Sequence, residues 1–151
     1  MAWAVDDTHG SNKDFLEMCE AMWSKDQGWT FTIFHNGEVA GTVGLAGHEP
    51  LIRSAELGYW IRTDLARRGL MTEAAAAVVD FGFKEVRLHR VELHAGVENL
   101  RSIRVAEKLG FQRVGMIRDG SRGEGGWYDC YVYDLLETDA RPEYPRSLGS
   151  S

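Results

Sequence analysis

Apolar and polar residues change rhythm several times along the chain, and each change marks an element. Phe15, Met18, Cys19 and Met22 recur at three- and four-residue spacing, which predicts a helix over 11–26 closed by Gly28. Residues 29–35 (WTFTIFH) alternate, as a strand with one buried face does. Asn36-Gly37 is a hairpin dipeptide, and 38–46 (EVAGTVGLA) returns as a second strand with Val39, Val43 and Leu45 on one face. Residues 55–61 (AELGYWI) form a third strand. A helical stripe of Leu70, Ala74, Val78 and Phe81 then predicts a helix from Gly69 to about Glu85. A fourth strand spans 90–95 (RVELHA), and a helix from Asn99 to Leu109 ends at Gly110. Strands at 111–117 and 127–136 complete the order α-β-β-β-α-β-α-β-β. This is an α/β (mixed α+β) domain built around one sheet.

Composition narrows the class. At 151 residues the chain holds one domain, and 44% hydrophobic with 26% charged residues is a folding composition. No apolar run reaches the roughly 20 residues that cross a membrane, and the start lacks the basic n-region of a secretory signal. No membrane association and a cytoplasmic location are therefore expected. A net charge of −6 argues against a general nucleic-acid binder and favours cationic partners. Cys19 and Cys130 read as reduced thiols, and with no CxxC, HExxH or Cys/His cluster no metal is expected.

The chemistry concentrates in 55–136. The third strand runs into W60-I-R-T-D-L-A-R-R-G-L-M-T-E73, where a loop carrying Arg67, Arg68 and Gly69 opens a helix. A helix N-terminus offers unpaired N–H groups and the positive dipole end, and so holds phosphate without any side chain. Gly69 permits close approach to an anion, and the arginines add charge. The spacing matches neither a Walker loop nor GxGxxG.

Downstream come V97-E-N-L-R-S-I-R-V-A-E-K-L-G-F111 and W127-Y-D-C-Y-V-Y-D-L135. With LGYWI and ARRGLMTEA before them, in this order and spacing, the set resembles the GNAT acetyltransferases, and among them the RimJ/RimL-type branch. The resemblance covers about 29–136. It implies the acyl-CoA N-acyltransferase fold and transfer of acetyl from acetyl-CoA to a primary amine. It implies a single domain over 1–138 with its coenzyme-binding core at 55–117; the end of the chain, with two of the three prolines and a Ser/Gly finish, reads as a flexible tail over 139–151. Backbone amides of the loop Ala66-Arg67-Arg68-Gly69-Leu70-Met71 would hold the coenzyme pyrophosphate. Ala66 stands where the family carries Gln or Arg, and Met71 where it carries a small residue. The coenzyme site implied comprises Trp60, Ile61, Arg62, Arg67, Arg68, Gly69, Leu70, Met71, Thr72, Asn99, Arg101, Ser102, Arg104 and Lys108. Family members usually begin with a strand and helix ahead of the segment that opens here at Met1, so this chain is expected to lack them.

Direct attack of an amine on a thioester needs a donor for the oxyanion, a proton acceptor for the amine and a proton for the thiolate. The resemblance implies a main-chain N–H near Trp60–Ile61 as the oxyanion donor. Many GNATs carry a tyrosine where Ala106 stands, so Ser102, which matches the RimL serine, takes the proton-donating role. The RimL loop glutamate falls at Ser121. Glu56, on a strand face with Gly58 and Trp60, is the first candidate base. Glu92 and His94 share a face of the next strand, where His94 reads as a structural histidine, with a proton relay as the other reading; Asp119 and Glu124 sit in the Gly-rich stretch DGSRGEGG, read as solvated charge, with a loop that closes over the acceptor as the other reading. Trp3, Trp23 and Trp29, Trp127 and Tyr128, Tyr131 and Tyr133 read as core, with a wall of the acceptor pocket as the other reading.

The acceptor expected is a protein or peptide N-terminus of ribosomal-protein type. The alternatives are a small amine (an aminoglycoside, polyamine or amino acid) or a non-catalytic acyl-CoA-binding module. An uncovered sheet edge at 29–35 and 38–46 leads to the expectation of a homodimer.

Overall fold

The structure, a computed structural model, describes residues 27–66 and 69–142. The helix expected at 11–26 lies outside the described residues, as do Trp3, Trp23, Arg67 and Arg68. Six strands form one sheet: β1 (Trp29–His35), β2 (Glu38–Glu49), β3 (Ser54–Ile61), β4 (Arg90–Gly96), β5 (Gln112–Gly123) and β6 (Gly126–Leu136), in the spatial order β1-β2-β3-β4-β6-β5. β3 and β4 are parallel, joined by the helix α1 (Leu70–Phe81); every other neighbouring pair is antiparallel. The second helix, α2 (Leu100–Lys108), connects β4 to β5.

The sequence pattern places these elements well, with instructive exceptions. Asn36 (φ 52°) and Gly37 (φ 80°) are both left-handed, which the favoured two-residue hairpin turn requires. In β2 the pairing shifts between Ile33 and Phe34 of its partner, which leaves Ala40 as an extra residue. Ala40, not the expected Val39, therefore joins Val43 and Leu45 in the core, and Val39 is only half-buried. α1 ends at Phe81 and continues as one wider turn over Gly82–Val86, so the helical pattern up to Glu85 was a composite. The stretch 119–126 is not a loop: β5 runs to Gly123, β6 starts at Gly126, and only Glu124 and Gly125 turn the chain. β2 is paired on both sides, so among the described residues the outer strands are β1 and β5.

The core lies between the sheet and the helices. Val43, Leu45, Leu57, Val91, Leu93, Tyr133 and Leu135 project from the sheet onto Ala74, Ala75, Val78 and Val79 of α1 and Val105, Ala106 and Leu109 at α2. The small side chains of α1 let it sit close to the strands. Each fully buried Leu or Val contributes roughly 1.5–3 kcal/mol relative to exposure. Trp29 is in this core, edge-on to Phe81, so it forms no pocket wall.

One irregularity positions the chemistry. β3 and β4 pair only from Ser54–Arg90 to Leu57–Leu93. Beyond that point β3 stays bonded to β2 through Ile61, and β4 to β6 through Gly96. The two central strands part company at Gly58 and His94. The main-chain groups on the β4 side of β3 have no ladder partner there.

Candidate active site

On the helix side of this opening lies a cavity of 780 Å³. Its walls come from three places: Tyr59, Trp60 and Ile61 at the end of β3; Thr63, Ala66, Gly69, Met71 and Thr72 in the following loop and first turn of α1; and Asn99, Leu100, Arg101, Ser102, Arg104, Val105 and Lys108 along α2. Of the residues expected at the coenzyme, Trp60, Ile61, Gly69, Met71, Thr72, Asn99, Arg101, Ser102, Arg104 and Lys108 are thus brought together. Arg62 points elsewhere, bonded to Asp64 at 2.6 Å and to Glu38 at 3.3 Å. Those two carboxylates push its guanidinium pKa further up. Leu70 packs against the core. Glu56 lies on the other face of the sheet.

The start of α1 is open toward the cavity. Gly69 caps α1 with φ 71°, a left-handed conformation that costs an L-residue roughly 1–2 kcal/mol. It supplies no side chain to the cap, so the first N–H groups of α1 are left without a side-chain acceptor. A Cβ at this glycine would meet nothing within 4 Å, so the space in front of it is open. The helix dipole and the cations of α2 bias that space toward negative charge.

α2 is fixed by Asn99. Its Oδ1 accepts the Ser102 N–H at 3.2 Å, an N-cap that orients the first turn. Ser102 Oγ then accepts the hydroxyl of Tyr59, which donates at 2.8 Å from across the opening. Burial pushes the Tyr59 phenol up, and the bond to Ser102 only partly offsets this, so it stays a donor. With Tyr59 donating, the Ser102 hydrogen is free to point into the cavity. Tyr59 is the residue that sequence reasoning passed over. Nothing in the sequence links it to a serine 43 residues away.

The opposite face of the sheet carries a row of charge across three strands. His94 Nε2 lies 2.7 Å from Glu92 Oε1, and His94 Nδ1 lies 3.5 Å from Glu56 Oε1 on β3. Arg90 binds the other oxygen of Glu92 and reaches Asp134 on β6 at 3.1 Å. Burial alone would raise the Glu92 carboxyl, but hydrogen bonds from His94 and Arg90 outweigh it and hold the group below its ordinary range. Glu56 is half-exposed at the start of the opening. Asp119, Ser121 and Glu124 lie far along the β5–β6 hairpin and are exposed or nearly so. Among the described residues no group of His, Cys, Asp and Glu could hold a metal ion, and no helix is long and apolar enough to cross a membrane.

The cavity thus joins the start of α1 and the length of α2 to a parted pair of parallel strands. The profile of the acetyltransferase (GNAT) domain matches residues 1–112. The chain belongs to the GNAT acetyltransferase family. This acetyltransferase domain is 35% identical over 133 residues to the “Probable N-acetyltransferase YjcK” of Bacillus subtilis (strain 168), covering 86% of the chain and 73% of that relative. It is 33% identical over 107 residues to the “Putative ribosomal N-acetyltransferase YdaF” of the same organism, covering 71% of the chain and 58% of the relative. The chain thus spans less than two thirds of the length of YdaF. In fold it matches Mycobacterium smegmatis RimJ, solved in complex with CoA-disulfide, at a TM-score of 0.80 and 24% identity, over 89% of this chain and 69% of that one.

Proposed function

We propose that this domain uses acetyl-CoA to acetylate the α-amine of a protein or peptide N-terminus, by direct attack of the amine on the thioester. The observation that carries the reading is the single cavity in which Gly69 at the start of α1 and Ser102 on α2 face the parted ends of β3 and β4. The residues present fit the coenzyme. The diphosphate would lie against the N–H groups of α1, with Arg101, Arg104 and Lys108 supplying charge. Arg67 and Arg68, in the same loop, belong to the proposal. When bound, the coenzyme supplies an activated acetyl group. Unpaired main-chain N–H groups at the end of β3 would stabilise the oxyanion. Ser102, held by Asn99 and Tyr59, gives the proton that the departing sulfur requires. Glu56, at the other side of the opening, takes the proton from the amine.

The chemistry of the acceptor suits this arrangement. An α-amine of pKa about 8 is neutral for roughly a tenth of molecules near pH 7, and a lysine amine for fewer than about one in a thousand. A modest base suffices for the first. The name of YdaF, a ribosomal N-acetyltransferase, points the same way. Calorimetry with acetyl-CoA, followed by thiol release with peptides bearing free α-amines and with spermidine and an aminoglycoside, tests the reading. Binding with peptide-dependent release is expected. Absence of binding heat, or release with the small amines alone, overturns it. Light scattering on the same preparation tests the expected homodimer, which would read twice 17.0 kDa.

A further inference from the structure

A row of charge lies behind Glu56. It lies outside the cavity, on the face of the sheet away from the core, and a strand face of that kind is usually filled by independent polar groups. Here the groups are chained. Asp134 fixes Arg90, Arg90 fixes Glu92, Glu92 fixes one ring nitrogen of His94, and the other nitrogen faces Glu56 at the point where β3 and β4 separate. We infer that His94 is the proton relay behind Glu56: the amine proton taken by Glu56 passes to His94 Nδ1, and Glu92, Arg90 and Asp134 are positioning residues that hold the ring for it. The inference rests on the transfer reading above and goes beyond it.

The geometry selects the ring state. A carboxylate 2.7 Å from Nε2 requires a hydrogen on that nitrogen, so the neutral ring carries its lone pair on Nδ1, toward Glu56. Glu92 cannot turn away, because Arg90 occupies its second oxygen. The charged groups around the ring are Glu56 from β3, Glu92 and Arg90 from β4, and Asp134 from β6, with Cys130 also on this face of β6.

Chemistry gives the relay its purpose. The N–C bond forms as the amine attacks and the C–S bond breaks. The amine proton moves to Glu56 and then to His94 Nδ1, from which it leaves to solvent. The sulfur receives its proton from Ser102, which solvent replenishes. Glu56 is thereby returned to its ionised form for the next turnover.

The full chain tests this with the peptide acceptor. His94→Ala is expected to lower kcat about 10²-fold, the usual contribution of a positioned proton-transfer group, and to leave the acetyl-CoA Kd within about twofold. Free imidazole should return at least about tenfold of the loss, which a purely structural histidine would not show. Nitrogen NMR of the ring in the enzyme without coenzyme reads the positioning directly: the Nε2–H form is expected, and Glu92→Gln should turn it into a mixture of tautomers. Unchanged turnover in His94→Ala with a working parent, absence of rescue by imidazole, or an Nδ1–H ring in the parent each overturns the relay alone. A parent chain that binds acetyl-CoA and acetylates none of the amines overturns the transfer reading, and the relay with it. His94→Gln, closer in shape, serves where the alanine variant unfolds, and the same loss is expected.

Discussion

Ser102 is held from two sides by bonds of different kinds. Asn99 fixes its backbone as part of a helix cap, and Tyr59 fixes its hydroxyl from another strand. The two can be separated by substitution. Ser102→Ala leaves the cap intact, because the Asn99 bond uses the main-chain N–H. The expected outcome is a fall in kcat of about 10²-fold with acetyl-CoA affinity within about twofold, read by steady-state rates and calorimetry. Loss of affinity in step with rate would show that Ser102 binds rather than donates. Tyr59→Phe removes only the orienting bond, worth about 0.5–1.5 kcal/mol, so turnover should fall by roughly three- to tenfold. The same variant has a signature in stability. Burial raises the Tyr59 pKa above the ordinary phenol value, so the folded protein holds that proton more tightly than the unfolded chain. Its contribution is fully present below the unfolded value near about 10 and is lost as pH rises through the folded value. Urea midpoints measured from neutral to alkaline pH should decline less steeply in Tyr59→Phe than in the parent.

At the scale of elements, the proposed diphosphate site depends on how α1 begins. Gly69 is left-handed and faces open space, so a methyl group there meets no neighbour and acts through conformation. Gly69→Ala is expected to cost about 1–2 kcal/mol in unfolding free energy and to weaken acetyl-CoA, because relaxing φ re-aims the first N–H groups of the helix. Chemical denaturation with calorimetry checks both; full affinity in a destabilised variant would remove the loop from the binding argument. The helix start at the glycine was legible in the sequence, since Gly69 stands between a strand and a helical stripe; an Arg-Arg-Gly there suits an ordinary helix start as well as an anion site. So were the hairpin at Asn36-Gly37, the helix opening at Asn99 and the alternation of β3, β4 and β6. The misjudged segments share a cause. Val39 yielded its core place to Ala40 because a bulge changes the two-residue period and leaves no mark in composition. Residues 119–126 looked like a loop because glycines there suit one as well, yet the register shift between Ile117 and Ser121 and the turn at Glu124–Gly125 use them inside a long hairpin.

For the molecule as a whole, the cavity could be anticipated only as a set of residues, because what joins them is the parting of β3 from β4. Neither strand announces where it stops pairing with the other: Leu57 and Leu93, the last pair, look like any buried leucines. The same parting separates charge. The chain carries −6 overall, yet Arg101, Arg104 and Lys108 line the cavity on one side, while Glu56, Glu92 and Asp134 lie on the other face of the sheet. On the proposed function a polyanionic coenzyme and a cationic amine would be drawn to opposite mouths of one opening, and neither would obstruct the other. Salt should expose this division. Raising ionic strength from about 0.1 M to about 1 M shortens the screening distance from about 10 Å to about 3 Å, which removes attraction beyond direct contact. Acetyl-CoA Kd is expected to rise by about tenfold over that range, and the KM of a cationic acceptor to rise with it, since both are drawn by fields of opposite sign. Coenzyme affinity that ignores salt would mean the helix N–H groups hold the diphosphate alone, without the α2 cations. An acceptor KM that falls as salt rises would mean that the cationic amine meets a repelling positive field, and so enters from the helix side, past the α2 cations.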